Sequence, residues 1–161
     1  MSVLTEAKRA PLTKLELRER IFKFESVLAQ HPGAIFGNSD LCPLKHTFAP
    51  GMYIREIFIP AGTMLTGKIH RHTHPRFLLS GTLTVVTESG GVEHMTGPLS
   101  LISLAGSKRV VYAHTDVVSV TVHHNPDNIT DLEKLEEMII APDYESLEKG
   151  TECHSSPLQL A

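Results

Sequence analysis

The sequence predicts a closed antiparallel β-barrel with one helix before it and one after it. From Ala34 to about Pro126, nine short stretches carry strand-like patterning, while helical spacing is confined to the two ends. Turn-forming residues punctuate the stretches: Ala49-Pro50-Gly51, Pro60-Ala61-Gly62, Glu88-Ser89-Gly90-Gly91, Gly97-Pro98 and Ala105-Gly106. The connections are far too short for crossover helices, which argues against a parallel sheet and for strands that close or sandwich on themselves.

In chain order, residues 1–12 are mixed and polar and read as an irregular arm. Thr13 and Glu16 form a capping box, and Leu17, Ile21, Phe24 and Leu28 follow at helical spacing until His31-Pro32-Gly33 stops the helix. The expected strands are 44–48, 52–59, 64–70, 76–80, 82–87, 92–95, 99–103, 108–113 and 117–123. After Asn125-Pro126-Asp127-Asn128 the helical period returns, with a second capping box at Thr130 and Glu133 and an apolar stripe of Leu132, Leu135, Met138 and Ile139. Ala141-Pro142-Asp143 ends that helix, Tyr144 to Lys149 adds a turn, and the tail around Ser155-Ser156-Pro157 has little to bury. The layout is an arm and helix over 1–33, a barrel over 34–126, and a helix and tail over 127–161, in one globular domain.

Composition narrows the function classes. A chain of 161 residues with 41% hydrophobic and 20% charged residues can bury a core without staples. No apolar run approaches a membrane span. A net charge of −3 gives no broad basic field, which disfavours nucleic acid as a partner. The opening Met1-Ser2-Val3-Leu4-Thr5-Glu6 lacks the plan of a secretory signal, so a cytoplasmic location is expected. Cys42 and Cys153 share no close-spaced motif and read as two free thiols. The unusual feature is ten histidines, the side chain most used for metals and for protons near neutral pH.

Those histidines concentrate in Gly67-Lys68-Ile69-His70-Arg71-His72-Thr73-His74-Pro75-Arg76, which leads into Phe77-Leu78-Leu79-Ser80-Gly81. In a strand, residues i and i+2 share a face about 6.5 Å apart, close enough for two imidazoles to meet one ion. Residues 70 and 74 in one extended strand would stand about 13 Å apart, too far for bonds of about 2 Å. The chain must therefore bend near Thr73 and Pro75, so that His74 faces the site from a second strand.

These residues resemble the cupin superfamily, β-barrels of jelly-roll type whose first motif sets two histidines and a glutamate on a hairpin ending in a glycine. The match spans about residues 52–123. Counted back from Gly81, His74 stands at the glutamate position, His70 at the second histidine and Lys68 at the first. The second motif is recognisable in Gly97-Pro98-Leu99-Ser100-Leu101-Ile102-Ser103-Leu104-Ala105-Gly106-Ser107-Lys108-Arg109, with Leu104 at its proline and Arg109 at its histidine. The chain is similar to small stand-alone cupins of bacteria and phages. The resemblance implies a homodimer, to which the apolar face of the first helix could contribute, and is consistent with isomerase, lyase or dioxygenase chemistry.

Two readings of the pocket follow. In the first, His70, His72 and His74 bind a divalent transition metal (zinc, iron, nickel or manganese), with His114 and His123 as candidate further ligands and a small polar molecule beside it. In the second, Lys68, Arg76 and Arg109 make a metal-free pocket for an acidic small molecule, because a cation at a ligand position repels a metal and attracts a carboxylate or phosphate. Arg109 could equally pair with Glu56. His46 and His94 read as structural.

Overall fold

The structure, a computed structural model, describes residues 11–34 and 39–151. Most of the expected arm, the tail at Ser155-Ser156-Pro157 and Cys153 lie outside the described residues.

The first helix, α1 (Lys14–Ala29), begins at the expected capping box: the Thr13 hydroxyl accepts from Glu16 N at 3.3 Å, and the Glu16 carboxylate accepts from Thr13 N at 2.8 Å. Ile21 is its buried contact, flanked by half-buried Leu17, Phe24 and Leu28. Polar anchors fix its pose. Buried Glu88 accepts from Arg18 through two bonds of 3.1 Å and from the Tyr144 hydroxyl at 2.7 Å, while Lys108 donates to Glu25 at 2.9 Å.

The barrel strands are β1 (Leu44–Ala49), β2 (Met52–Ile59), β3 (Met64–Thr66), β4 (Ile69–His70), β5 (His74–Ser80), β6 (Thr82–Thr87), β7 (Gly91–Thr96), β8 (Leu99–Ser103), β9 (Arg109–Ala113) and β10 (Val117–His124). They form two main antiparallel sheets, ordered β1-β2-β10-β5-β8 and β3-β9-β6-β7. Ile59, Leu78, Leu83, Val85, Val111, Ala113 and Val117 fill the space between them at one end. The β5–β6 corner needs Gly81: its φ is +88°, and a Cβ there would lie 2.2 Å from the Asp116 carbonyl oxygen.

One expected strand is divided. Residues 64–70 form β3 and β4 with a break at Gly67-Lys68, where Gly67 N donates to Arg109 O at 2.8 Å and a Cβ would stand 3.1 Å from Arg109 Cγ. The period-two pattern of the sequence runs through this break, but the alternation of faces does not hold from Lys68 to His70 across it.

Beyond β10, the fully buried Asn125 closes a turn by bonding both N and O of Ile129 at 2.9 Å. Helix α2 (Leu132–Ile139) follows. Its cap is Asp131, not Thr130: the Asp131 carboxylate accepts from Glu133 N at 3.0 Å and Lys134 N at 3.2 Å. Leu135 and Ile139 pack on Tyr53 and cover the end of the barrel opposite the apolar core, whereas Leu132 remains exposed. A short strand β11 (Ile140–Ala141) then pairs with β4, and α3 (Tyr144–Thr151) completes the described chain. Among the described residues no helix is long and apolar enough to cross a membrane.

Candidate metal centre

Alternation within the strands decides what faces the interior. Tyr53 and Arg55 on β2, His74 and Arg76 on β5, and Thr121 and His123 on β10 share the inner face, and the register sets them in rows. His123 lies opposite Tyr53; two residues along, Thr121 lies between Arg55 and Arg76. His70 enters from β4, whose backbone is held by β11 and by Gly106 N donating to His70 O at 2.8 Å. Gly106 has a φ of +73°, and a Cβ there would press on Leu147 at 2.9 Å.

The result is a cluster of His70, His74 and His123 under the cover of α2. One nitrogen from each lies within 4.8 Å of the others, and the ring centroids of His74 stand 4.5 Å from those of both His70 and His123. Two nitrogens of these rings, His70 Nδ1 and His74 Nε2, are buried with no hydrogen-bond partner among the described residues. Tautomers follow from the neighbours. His74 Nδ1 lies 3.0 Å from the His72 carbonyl, which can only accept, so Nδ1 carries the proton and Nε2 presents a lone pair to the cluster. His123 Nε2 bonds to the Thr121 hydroxyl at 3.0 Å.

Electrostatics keep the rings neutral. Burial first, then the neighbouring imidazoles and the guanidiniums of Arg109 and Arg55, push His70 down to about 2. Burial first, then His74 and Arg55, push His123 down to about 3. His74 is lowered by burial, with the His72 carbonyl opposing and Arg109 and Arg76 adding. Three neutral imidazoles with a nitrogen of each within 4.8 Å of the others are a donor set that suits zinc, iron or nickel. The residues present fit a divalent ion.

The other expected residues are distributed differently. His72 is exposed, because the chain between β4 and β5 turns and swings its ring outward; it contributes its carbonyl instead. His114 is outside the barrel, bonded to Thr84 at 2.6 Å, with His94 on the same hydroxyl at 2.8 Å. Lys68 points to the surface and pairs with Glu136 on α2. Arg71 clamps the same region, donating to the carbonyls of Glu137, Ile140 and Ser146 at 3.3, 3.0 and 3.2 Å. Arg76 and Arg109 do face the interior: Arg76 is 7% exposed and touches Met95 Sδ at 3.4 Å, and Arg109 bonds Ser103, with no ion pair to Glu56. A recess of about 240 Å³ beside the cluster is lined by His72, His74, His123, His124 and Ile139 among others. A larger concavity of about 540 Å³ lies elsewhere, at the start of α1, where Glu88 is already satisfied.

The sequence matches no protein-family profile and no curated protein. Solved structures do match. Ectoine synthase from P. lautus aligns over 63% of this chain and 75% of its own, at 16% identity and a TM-score of 0.51. Salicylate 1,2-dioxygenase from Pseudoaminobacter salicylatoxidans, in adducts with gentisate, aligns over 80% of this chain and 36% of its own, at 12% identity and a TM-score of 0.51. Both are cupin-fold proteins. This chain has the cupin fold.

In this cupin-fold chain the histidine-rich stretch contributes two of the three clustered imidazoles, His70 from β4 and His74 from β5, and the third, His123, comes from the last barrel strand. The sequence points to His72 before His123 because His72 sits in the dense motif. The residue missed altogether is Arg55, half-buried on the inner face of β2. The signal was available: Tyr53, Arg55, Ile57 and Ile59 share one parity, and an arginine on an otherwise apolar face marks a polar interior.

Proposed function

We propose that this cupin binds one divalent transition metal on His70, His74 and His123, with a small polar ligand in the adjoining barrel interior. The observation that carries the reading is the pair of buried, unpartnered nitrogens, His70 Nδ1 and His74 Nε2, since an orphaned buried polar atom costs about 1–3 kcal/mol unless something satisfies it. Held there, the ion supplies a Lewis acid for an oxygen ligand. The chain's own residues do the rest. The His72 carbonyl orients His74, Thr121 orients His123, and α2 with Ile139 limits water at the barrel end. No described carboxylate hydrogen-bonds to the three rings, so this chain contributes binding, orientation and charge at the site.

Elemental analysis of tag-free protein tests the proposal. The expected result is about one equivalent of metal, or uptake of one equivalent of zinc, nickel, manganese or ferrous iron by chelated protein, lost in His74→Ala with the fold retained. Metal-free protein whose melting temperature is unmoved by any of these ions overturns it. The metal-free alternative draws support from a different observation, the guanidiniums of Arg55, Arg76 and Arg109 inside the barrel, none of which forms an ion pair with a described carboxylate.

A further inference from the structure

Among the described residues, three arginines of the interior form no ion pair. Arg55 and Arg76 lie on the inner face, Arg109 shares the parity of buried Val111 and Ala113 on β9, and the ion pairs of the described residues are made instead by Lys14, Arg18, Lys68 and Lys108. Arg76 is 7% exposed, and its Nε is buried without any partner. Arg109 has a serine hydroxyl and Arg76 a thioether sulfur, neither of which neutralises a cation. The carboxylates felt at longer range, Glu93 by Arg76 and Glu136 by Arg55, are both exposed and form no ion pair with either arginine. A buried charge left unpaired is among the more destabilising features a fold can carry.

The arrangement is layered. Arg55, Thr121 and Arg76 stand side by side across β2, β10 and β5, one two-residue step from the row that holds His123 and His74. That step is about 6.5–7 Å along a strand. Arg109 reaches in from the facing sheet and is close enough to His70 and His74 to affect both.

From this we infer that Arg55, Arg76 and Arg109 form the floor of a site for a small oxyanion with two negative charges, which binds between the guanidiniums and the histidine-held metal and is thermodynamically coupled to it. Guanidinium forks match the oxygens of carboxylate and phosphate. The two-residue step is about the length of a short dicarboxylate, so one end can rest on the arginines while the other reaches the ion. The charges dictate the coupling. Without the anion, three guanidiniums repel a dication; with it, two negative charges stand between the like charges and offset part of that repulsion. By linkage the anion must tighten the metal by the same factor that the metal tightens the anion. The coupling, though not the anion site itself, rests on the metal reading above.

Calorimetric titration of tag-free, chelated protein with malonate, succinate and inorganic phosphate, each with and without zinc, tests the inference. A dicarboxylate or phosphate is expected to bind wild-type protein, and zinc to tighten it at least tenfold. Preference for malonate or succinate identifies a dicarboxylate ligand, and preference for phosphate a phosphorylated one. Arg55→Met and Arg109→Met are expected to weaken the anion at least tenfold while melting at or above the wild-type temperature in anion-free buffer, since each removes an unpaired buried charge. Arg55→Lys retains the charge and controls for a variant that misfolds. Failure of all three anions to bind, or binding unchanged in both methionine variants, overturns the site. Anion binding that depends on the arginines but is indifferent to zinc leaves the site standing and overturns the coupling. If zinc itself fails to bind, it is the metal reading that falls.

Discussion

A single carbonyl oxygen, that of His72, determines which nitrogen of His74 faces the cluster, because an acceptor-only partner fixes the proton on Nδ1. Burial then fixes the charge. Since His70 is driven down to about 2 and His123 to about 3 in the folded chain, both rings stay neutral in the fold at pH values where the unfolded chain protonates them. Between about pH 6.5 and pH 3 the unfolded state therefore binds more protons, and stability rises with pH across that window. The stability is fully present above about 6.5. Metal-free protein is expected to lose up to about 1.4 kcal/mol per pH unit for each of these two histidines as pH falls below that value. Urea denaturation at pH 7.5, 6.0 and 5.0, above the main range of carboxylate titration, measures the slope, and His123→Gln should reduce it. A midpoint independent of pH would show that the rings are not held neutral by the fold.

At the scale of elements, the site depends on how β4, α2 and β11 are tied together. Arg71 lies between two histidines of the motif but acts on the chain opposite: its guanidinium satisfies carbonyls at the C-terminal end of α2, in β11 and in α3, and its own N donates to Ile139 O at 2.7 Å. Arg71→Ala should cost about 1–3 kcal/mol and speed amide exchange in α2 and β11 more than in β6 or β9. Lysine should restore little, because a point charge cannot reach three carbonyls as a planar fork does. Uniform exchange across the chain would contradict the clamp. Much at this scale was legible in the sequence. Strands Met52–Ile59, Thr82–Thr87 and Leu99–Ser103 run between the residues that alternation and turn punctuation indicate. The break at Gly67-Lys68 was not, because a tertiary contact with Arg109 makes it and no local pattern records that. The α2 cap was read one residue early: Thr130 and Asp131 are both capable, and the aspartate wins by reaching two amides. The approach of His70 to His74 followed from the necessary bend. The position of His72 did not follow, since alternation stops where the strand stops.

For the whole molecule, the outer face of the five-stranded sheet carries a run of exposed and half-exposed apolar side chains. Ile102 and Leu79 are 65% and 49% exposed, and Ile54, Phe77, Val118 and Val120 lie half-exposed on the same side. The α1 stripe, by contrast, is turned inward around Ile21. A homodimer, as the cupin resemblance implies, is therefore expected to pair through the sheet, with self-complementary apolar faces meeting about a two-fold axis. Light scattering should give twice the chain mass, and Val120→Lys, which sets a charge at the centre of the sheet, should halve it. A wild-type monomer would reject the dimer.

The sheet order carries one more implication. β10 lies between β2 and β5, although both precede it by dozens of residues, and it brings His123. A chain emerging from the ribosome therefore holds His70 and His74 well before it can close the barrel. Until residues 117–124 slot into the gap, the two earlier sheet halves have nothing to join them. Assembly of this protein is thus expected to wait on its last long strand, and the same insertion that finishes the barrel delivers the third imidazole. A captured ion would serve as a report that folding is complete, with stopped-flow metal uptake expected to follow the slow folding phase of a topology rich in distant contacts, never to precede it.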